Sequence, residues 1–152
     1  MSYTCEILDQ QPQPTLTIHT RASEEALSQT LGKAFSEIIS YIQSLGEQPA
    51  GAAFVAYFNM DMKDLDIEIG FPLMKSLPGK DKIKPGELPH GKVATCLYTG
   101  GYNTIAPAYS ALNDYVKEQG YETTGISYEF YYDTPDTPPE KTRTLIMFPL
   151  KS

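Results

Sequence analysis

The 152-residue sequence predicts an α+β fold in which two tandem duplicated βαββ units form one antiparallel-sheet domain with two main helices and a central ligand cleft. Three observations lead there. Two stretches repeat apolar residues at helical spacing, several short segments have the β-branched and aromatic content of strands, and one half of the chain maps onto the other under a nearly constant shift.

In chain order, strands are expected first at residues 5–8 and 16–21. Ser23 then has the place of a helix N-cap, with Glu24 and Glu25 in the first turn and Gly46 closing the stretch. Between them Leu27, Leu31, Ala34, Phe35, Ile38, Ile42 and Leu45 recur three and four residues apart, so they share one apolar face despite the interruption by Gly32. Strands follow at 53–59 and 66–72. The Lys-, Pro- and Gly-rich segment 76–90 reads as a connector, with a weaker strand near 83–88. A strand at 92–98 leads through Gly100 and Gly101 to a second helix, expected to start near Asn103 or Thr104 and to end at Gln119, before Gly120. Ile105, Ala108, Tyr109, Leu112, Tyr115 and Val116 mark its buried face, and Pro107 falls in its first turn, where a missing N–H does least harm. Strands at 126–133 and 144–150 complete the series.

The repeat lies in the register. A shift of 74 residues carries Ala34 to Ala108, Phe35 to Tyr109, Tyr41 to Tyr115, Gly46 to Gly120 and Gly51 to Gly125. It also carries Phe54 to Tyr128, Tyr57 to Tyr131 and Phe58 to Tyr132; beyond the hairpin a shift of 77 takes Ile69–Leu73 onto Ile146–Leu150. Repeat 1 is accordingly placed at about residues 1–75 and repeat 2 at about 91–152, joined by the connector within one domain spanning 1–152. Small-molecule sites favour seams of this kind, which is the reason to expect a cleft there.

Apolar residues make up 41% of the chain and charged residues 20%, enough for a packed core and too apolar for disorder. No stretch of about 18 apolar residues and no signal-peptide pattern occurs, so a cytoplasmic protein with no membrane partner is expected. The net charge of −7 opposes direct nucleic-acid binding and is compatible with a cationic partner, although it also serves simple solubility. Cys5 and Cys96 stand in no Cys-x-x-Cys pattern and His19 and His90 have no ligand spacing around them, so neither a metal site nor a cofactor is predicted. A pairing of the two distant cysteines stays open. The Gly100–Gly101 pair lacks the spacing of a dinucleotide or phosphate loop, and no nucleophile-elbow signature appears.

The chemistry is sought among the 11 tyrosines, several of which cluster between Ile126 and Asp133. Strand alternation puts Ser127, Glu129 and Tyr131 on one side and Tyr128, Phe130 and Tyr132 on the other. Glu129 is the leading candidate. A carboxylate among aromatic rings attracts a cation, with each ring adding about 0.5 to 2 kcal/mol, and burial there would raise its pKa toward use in proton transfer. An exposed edge-strand glutamate is the competing reading. Glu68 is a second candidate, on the strand face opposite Ile67 and Ile69, although the same alternation describes a plain half-buried strand. Tyr102 stands at the entrance to the second helix, either beside free backbone N–H groups or as a packing aromatic. Tyr57, carried onto Tyr131 by the shift, and Met147, in the closing strand, complete the expected ligand-binding set.

Together Tyr98–Thr99–Gly100–Gly101–Tyr102, Glu129–Phe130–Tyr131 and Ile146–Met147–Phe148–Pro149–Leu150 resemble the gyrase-inhibitor-like small-molecule-binding family over essentially the whole chain. That family includes effector-binding domains of multidrug-responsive and arabinose-regulator-type transcription regulators, along with free-standing versions. The resemblance implies that Glu129 meets lipophilic cations amid aromatic side chains and that Tyr102 matches the family tyrosine at the helix entrance. Family members often carry another acid in the final strand, where this chain has Leu145. The first repeat begins within about 20 residues of Met1, so a stand-alone member is expected. Its first reading is a binding domain for hydrophobic, cationic compounds. Alternatives implied by the resemblance are a hydrolase of reactive cyclopropane-type xenobiotics, using Glu129 and Tyr102 as catalytic residues, and a module acting on a protein partner such as gyrase or a regulator.

Overall fold

The computed structural model describes residues 3–101, 104–133 and 136–151. Its elements, in chain order, are β1 (Thr4–Gln10), β2 (Pro14–Ala22), α1 (Glu24–Ser44), β3 (Ala53–Tyr57), β4 (Leu65–Pro72), β5 (Lys84–Glu87), β6 (Gly91–Thr99), α2 (Ala106–Glu118), β7 (Ser127–Tyr131) and β8 (Arg143–Pro149). Every strand pairing within the two units described next is antiparallel, which makes the fold class α+β as expected. Among the described residues no helix is long and apolar enough to cross a membrane.

The chain divides into two compact units. The first, Pro12–Pro89, lays its strands in the order β3-β4-β2-β5 with α1 as its helix. Ser23 caps α1 in an extended conformation, accepting a hydrogen bond from the Ala26 N–H at 3.2 Å, and Glu24 and Glu25 favour the positive end of the helix dipole. Gly46, at φ 74°, follows the last turn in the left-handed conformation that glycine adopts without penalty. The predicted stripe meets the sheet: Ala34, Ile38 and Ile42 are buried, and the Phe35 ring lies edge-on to Phe71 of β4 at 5.6 Å between centroids. Because Phe71, Ile69 and Ile67 alternate along β4, this contact fixes the face that α1 covers. The connector expected at 76–90 is also part of the packing. Its Leu77, Ile83 and Leu88 are buried, and β5 within it pairs with β2.

The second unit joins Met1–Gln11 to His90–Ser152, with strands in the order β1-β6-β8-β7 and α2 as its helix. Ala108, Leu112 and Val116 of α2 close over Ala94, Cys96 and Tyr98 of β6 and Ile146 and Phe148 of β8. The helix begins at Ala106, a little later than the sequence suggests, with Pro107 in its first turn and no side-chain cap at Ile105. A first repeat spanning about residues 1–75 would hold β1 and β2 alike; in the structure β1 pairs with β6, so the first strand of the chain serves the unit built from residues 90–152. Each unit nevertheless has the order strand, helix, strand, strand, with the last strand between the other two, and each adds one further strand beside the first.

Candidate functional site

Glu129 is central to the five-residue strand β7, paired with Ile146 of β8, which in turn pairs with Cys96 of β6. Ile146 and Cys96 belong to the core under α2, so Glu129 lies on the helix-facing side of its sheet. Glu129 is only 9% exposed, and its carboxyl is hydrogen-bonded on both oxygens. Tyr109 of α2 donates its hydroxyl to Oε2, and Tyr131, two residues along β7, donates to Oε1 at 2.8 Å. Burial raises the Glu129 carboxyl above the ordinary glutamate range, and the hydrogen bonds from Tyr109 and Tyr131 pull it partway back. The result is an acid tuned upward and held in a fixed orientation by two phenols. Such a group can face a cation as a carboxylate or exchange a proton with a bound molecule.

The surroundings continue on the same face. Tyr131 pairs with Thr144, which pairs with Tyr98. Thr144 is 0% exposed, and its Oγ1 has no hydrogen-bond partner among the described residues. An unmatched buried hydroxyl costs about 1–3 kcal/mol. The Tyr98 hydroxyl donates to the Gly101 carbonyl at 2.7 Å and is hydrogen-bonded to Thr104 Oγ1. Gly100, at φ 147°, has to be glycine: a Cβ there would come within 2.6 Å of the Tyr98 hydroxyl. Tyr102, the expected partner at the helix entrance, lies outside the described residues.

Met147 pairs with Tyr128 and faces away from Glu129, on the side where the Tyr128 and Phe130 rings stack at 6.2 Å. In the other unit, Glu68 of β4 pairs with His19 of β2 and Ala56 of β3, on the face opposite Phe71 and α1. Burial raises its carboxyl and the charge of His19 opposes the shift. His19 in turn is hydrogen-bonded to Asp66, while Arg21 pairs with Asp64 at 2.8 Å and reaches Asp66 at 3.6 Å. Tyr57 pairs with Ile67 and so faces the α1 side, away from Glu68. The structure thus joins Glu129 with Tyr131 and adds Tyr109, while Glu68 and Tyr57 sit on opposite faces of their own unit.

Two contributors are not singled out by the sequence as site residues. Tyr109 appears there as part of an apolar helix face, yet a phenol in such a stripe signals a polar partner. Thr144 carries no such signal. A surface groove of about 490 Å³ in the unit Pro12–Pro89 is lined by Glu37, Tyr41, Lys80 and Lys82 among others and includes none of the expected site residues. Among the described residues, no three His, Cys, Asp or Glu side chains are grouped to hold a metal ion.

The model of the GyrI-like small molecule binding domain matches residues 3–151. No curated protein sequence matches the chain. Among solved structures, the EcmrR C-terminal domain is 17% identical with a TM-score of 0.76, the match covering 100% of this chain and 99% of that one. In the EcmrR–DNA complex the match covers 99% of this chain and 58% of the longer EcmrR chain, at 18% identity and a TM-score of 0.77. The crystal structure of a hydrolase from Listeria innocua is 12% identical with a TM-score of 0.71, covering 97% of this chain and 91% of that one. SAV2435 bound to tetraphenylphosphonium is 15% identical with a TM-score of 0.64, covering 100% and 95%. At these identities the likeness is one of fold.

Proposed function

The chain belongs to the GyrI-like family of small-molecule-binding domains, and on that footing we propose that it takes up hydrophobic, cationic compounds at Glu129. The observation that carries this reading is the buried carboxyl held by Tyr109 and Tyr131, with a further polar group, Thr144 Oγ1, left unmatched on the same face. A buried carboxylate needs a counter-charge, and desolvating it alone costs several kcal/mol. A lipophilic cation supplies that charge while its apolar shell replaces water, and phenol rings add cation–π attraction. Tyr102 is proposed as a further contact. The net charge of −7 favours such ligands over nucleic acid. The matching order of elements in the two units supports reading the chain as an internal duplication whose acidic residues differ between copies, since the shift carries Val55 to Glu129 and Leu145 stands at the place of Glu68.

The test is a titration with tetraphenylphosphonium and a neutral isostere against the native chain and Glu129→Gln. Preference for the cation by tenfold or more in the native chain, lost in the variant, supports the proposal; equal affinity for both compounds in the native chain would sink it.

A second reading rests on the raised Glu129 carboxyl beside two phenols, an arrangement suited to general acid–base work. Here Glu129 would deprotonate water for attack on a reactive cyclopropane while a tyrosine, Tyr131 or Tyr102, steadied the leaving group. Turnover of such a substrate unaffected by Glu129→Gln would remove the residue from the mechanism.

A further inference from the structure

Cys5 and Cys96 stand directly opposite each other in the antiparallel register of β1 and β6. They are far apart in sequence, but they share the α2-facing side of one unit: Cys96 is in the core at 0% exposure, and Cys5 packs against it half-buried. Directly opposed residues of an antiparallel pair have Cα atoms about 4.5 or 5.5 Å apart, depending on which kind of pair they form. Both values fall in the range of about 4.4–6.8 Å that a disulfide spans without backbone movement.

We propose that Cys5 and Cys96 are a redox-sensitive cross-strand pair, oxidised by a low-molecular-weight disulfide such as oxidised glutathione to an intramolecular disulfide that staples β1 to β6. The two thiols have different exposure, and this sets the order of steps. The Cys5 thiolate attacks one sulfur of the small disulfide, forming a mixed disulfide and releasing one small thiolate. Cys96 then loses its proton and attacks the Cys5 sulfur; the protein S–S bond forms and the second small thiolate leaves. The two protein thiol protons end on the two small thiols, and the two electrons pass from the protein sulfurs to the small disulfide. Burial and the neighbouring Cys5 push the Cys96 thiol up to about 12, which makes Cys96 unreactive toward external reagents and the second step the slower one.

The staple would act on an edge. Within its unit β1 has a partner on one side, β6, to which the Asp9–Lys92 ion pair at 3.0 Å and the Tyr3–Tyr98 ring contact at 6.5 Å also bind it. Oxidation closes a loop of roughly 90 residues, for which chain-entropy arguments predict a rise in melting temperature on the order of 10 °C.

The test equilibrates the full chain with graded ratios of reduced to oxidised glutathione, then denatures it, alkylates free thiols and measures intact mass. Both thiols are expected to vanish together, with the loss of two hydrogens and no dimer, and the oxidised protein melts higher than the reduced one. Cys5→Ser changes the half-buried partner, so it leaves the core intact; it should show neither the internal disulfide nor the higher melting temperature. Two alkylatable thiols across the whole series, a persistent glutathione adduct on Cys5, or an intermolecular dimer would each overturn the proposal.

Discussion

Tyr109, on α2, donates its hydroxyl to Glu129, on β7, so the helix is tied to the sheet through a buried carboxyl. Hydrogen bonds to a charged acceptor are worth about 1.5–3 kcal/mol, more than those between neutral groups. Tyr109 also lies 5.8 Å from Phe148 between ring centroids, which holds the phenol in place from its other side.

Tyr109→Phe keeps that ring contact and removes the donor. Because the lost hydrogen bond was lowering the Glu129 carboxyl, its pKa rises further in the variant. Stability at neutral pH falls by about 1–3 kcal/mol, measured by urea unfolding. Tyr131→Phe acts in the same direction, and an unchanged Glu129 titration by NMR in both variants would contradict the assignment.

The pH dependence of stability follows from the same shift. In the folded state the raised carboxyl binds a proton more tightly than in the unfolded chain, so the protonated form is the one that favours folding. Its contribution is complete below the ordinary glutamate pKa of about 4.3 and is lost as pH rises through the higher folded value. Glu68 adds a component of the same sign. Glu129→Gln removes the Glu129 component, so its stability falls less over that window than that of the native chain. Parallel pH–stability curves for the two proteins would refute the linkage.

Gly32 sits at an exposed position of α1, and a Cβ there would meet nothing within 4 Å. Gly32→Ala therefore gains helix propensity without a clash and stabilises the chain by roughly 0.5–1 kcal/mol in chemical denaturation.

Removing the cap of the same helix has the opposite sign. Ser23→Ala leaves the Ala26 N–H without its side-chain acceptor and costs about 1 kcal/mol, while Ser23→Gly costs only a few tenths. A drop of equal size for both would point to a cause other than the cap.

The local code was legible where one segment suffices to specify structure. The apolar stripe from Leu27 to Leu45, with Ser23 and Gly46 at its ends, identifies α1, and the alternation around Glu129 places Glu129 and Tyr131 on one side of β7. What depends on register between distant strands was not. Nothing near Cys5 indicates that β1 pairs with β6, and nothing near Glu68 indicates that it faces His19. Tyr109 was visible as a buried helix residue, but its polar role requires knowing which strand α2 covers. Segment 76–90 reads as a connector because its Lys, Pro and Gly hide three anchoring residues, Leu77, Ile83 and Leu88, that only packing reveals.

The central claim, that the Glu129 carboxylate recognises a lipophilic cation, is tested most directly by calorimetric titration with tetraphenylphosphonium across the pH range in which Glu129 ionises. Affinity is expected to increase with pH through the raised pKa, binding below it to release protons to buffer, and both effects to vanish in Glu129→Gln. Affinity independent of pH in the native chain, or an unaltered profile in the variant, would contradict it.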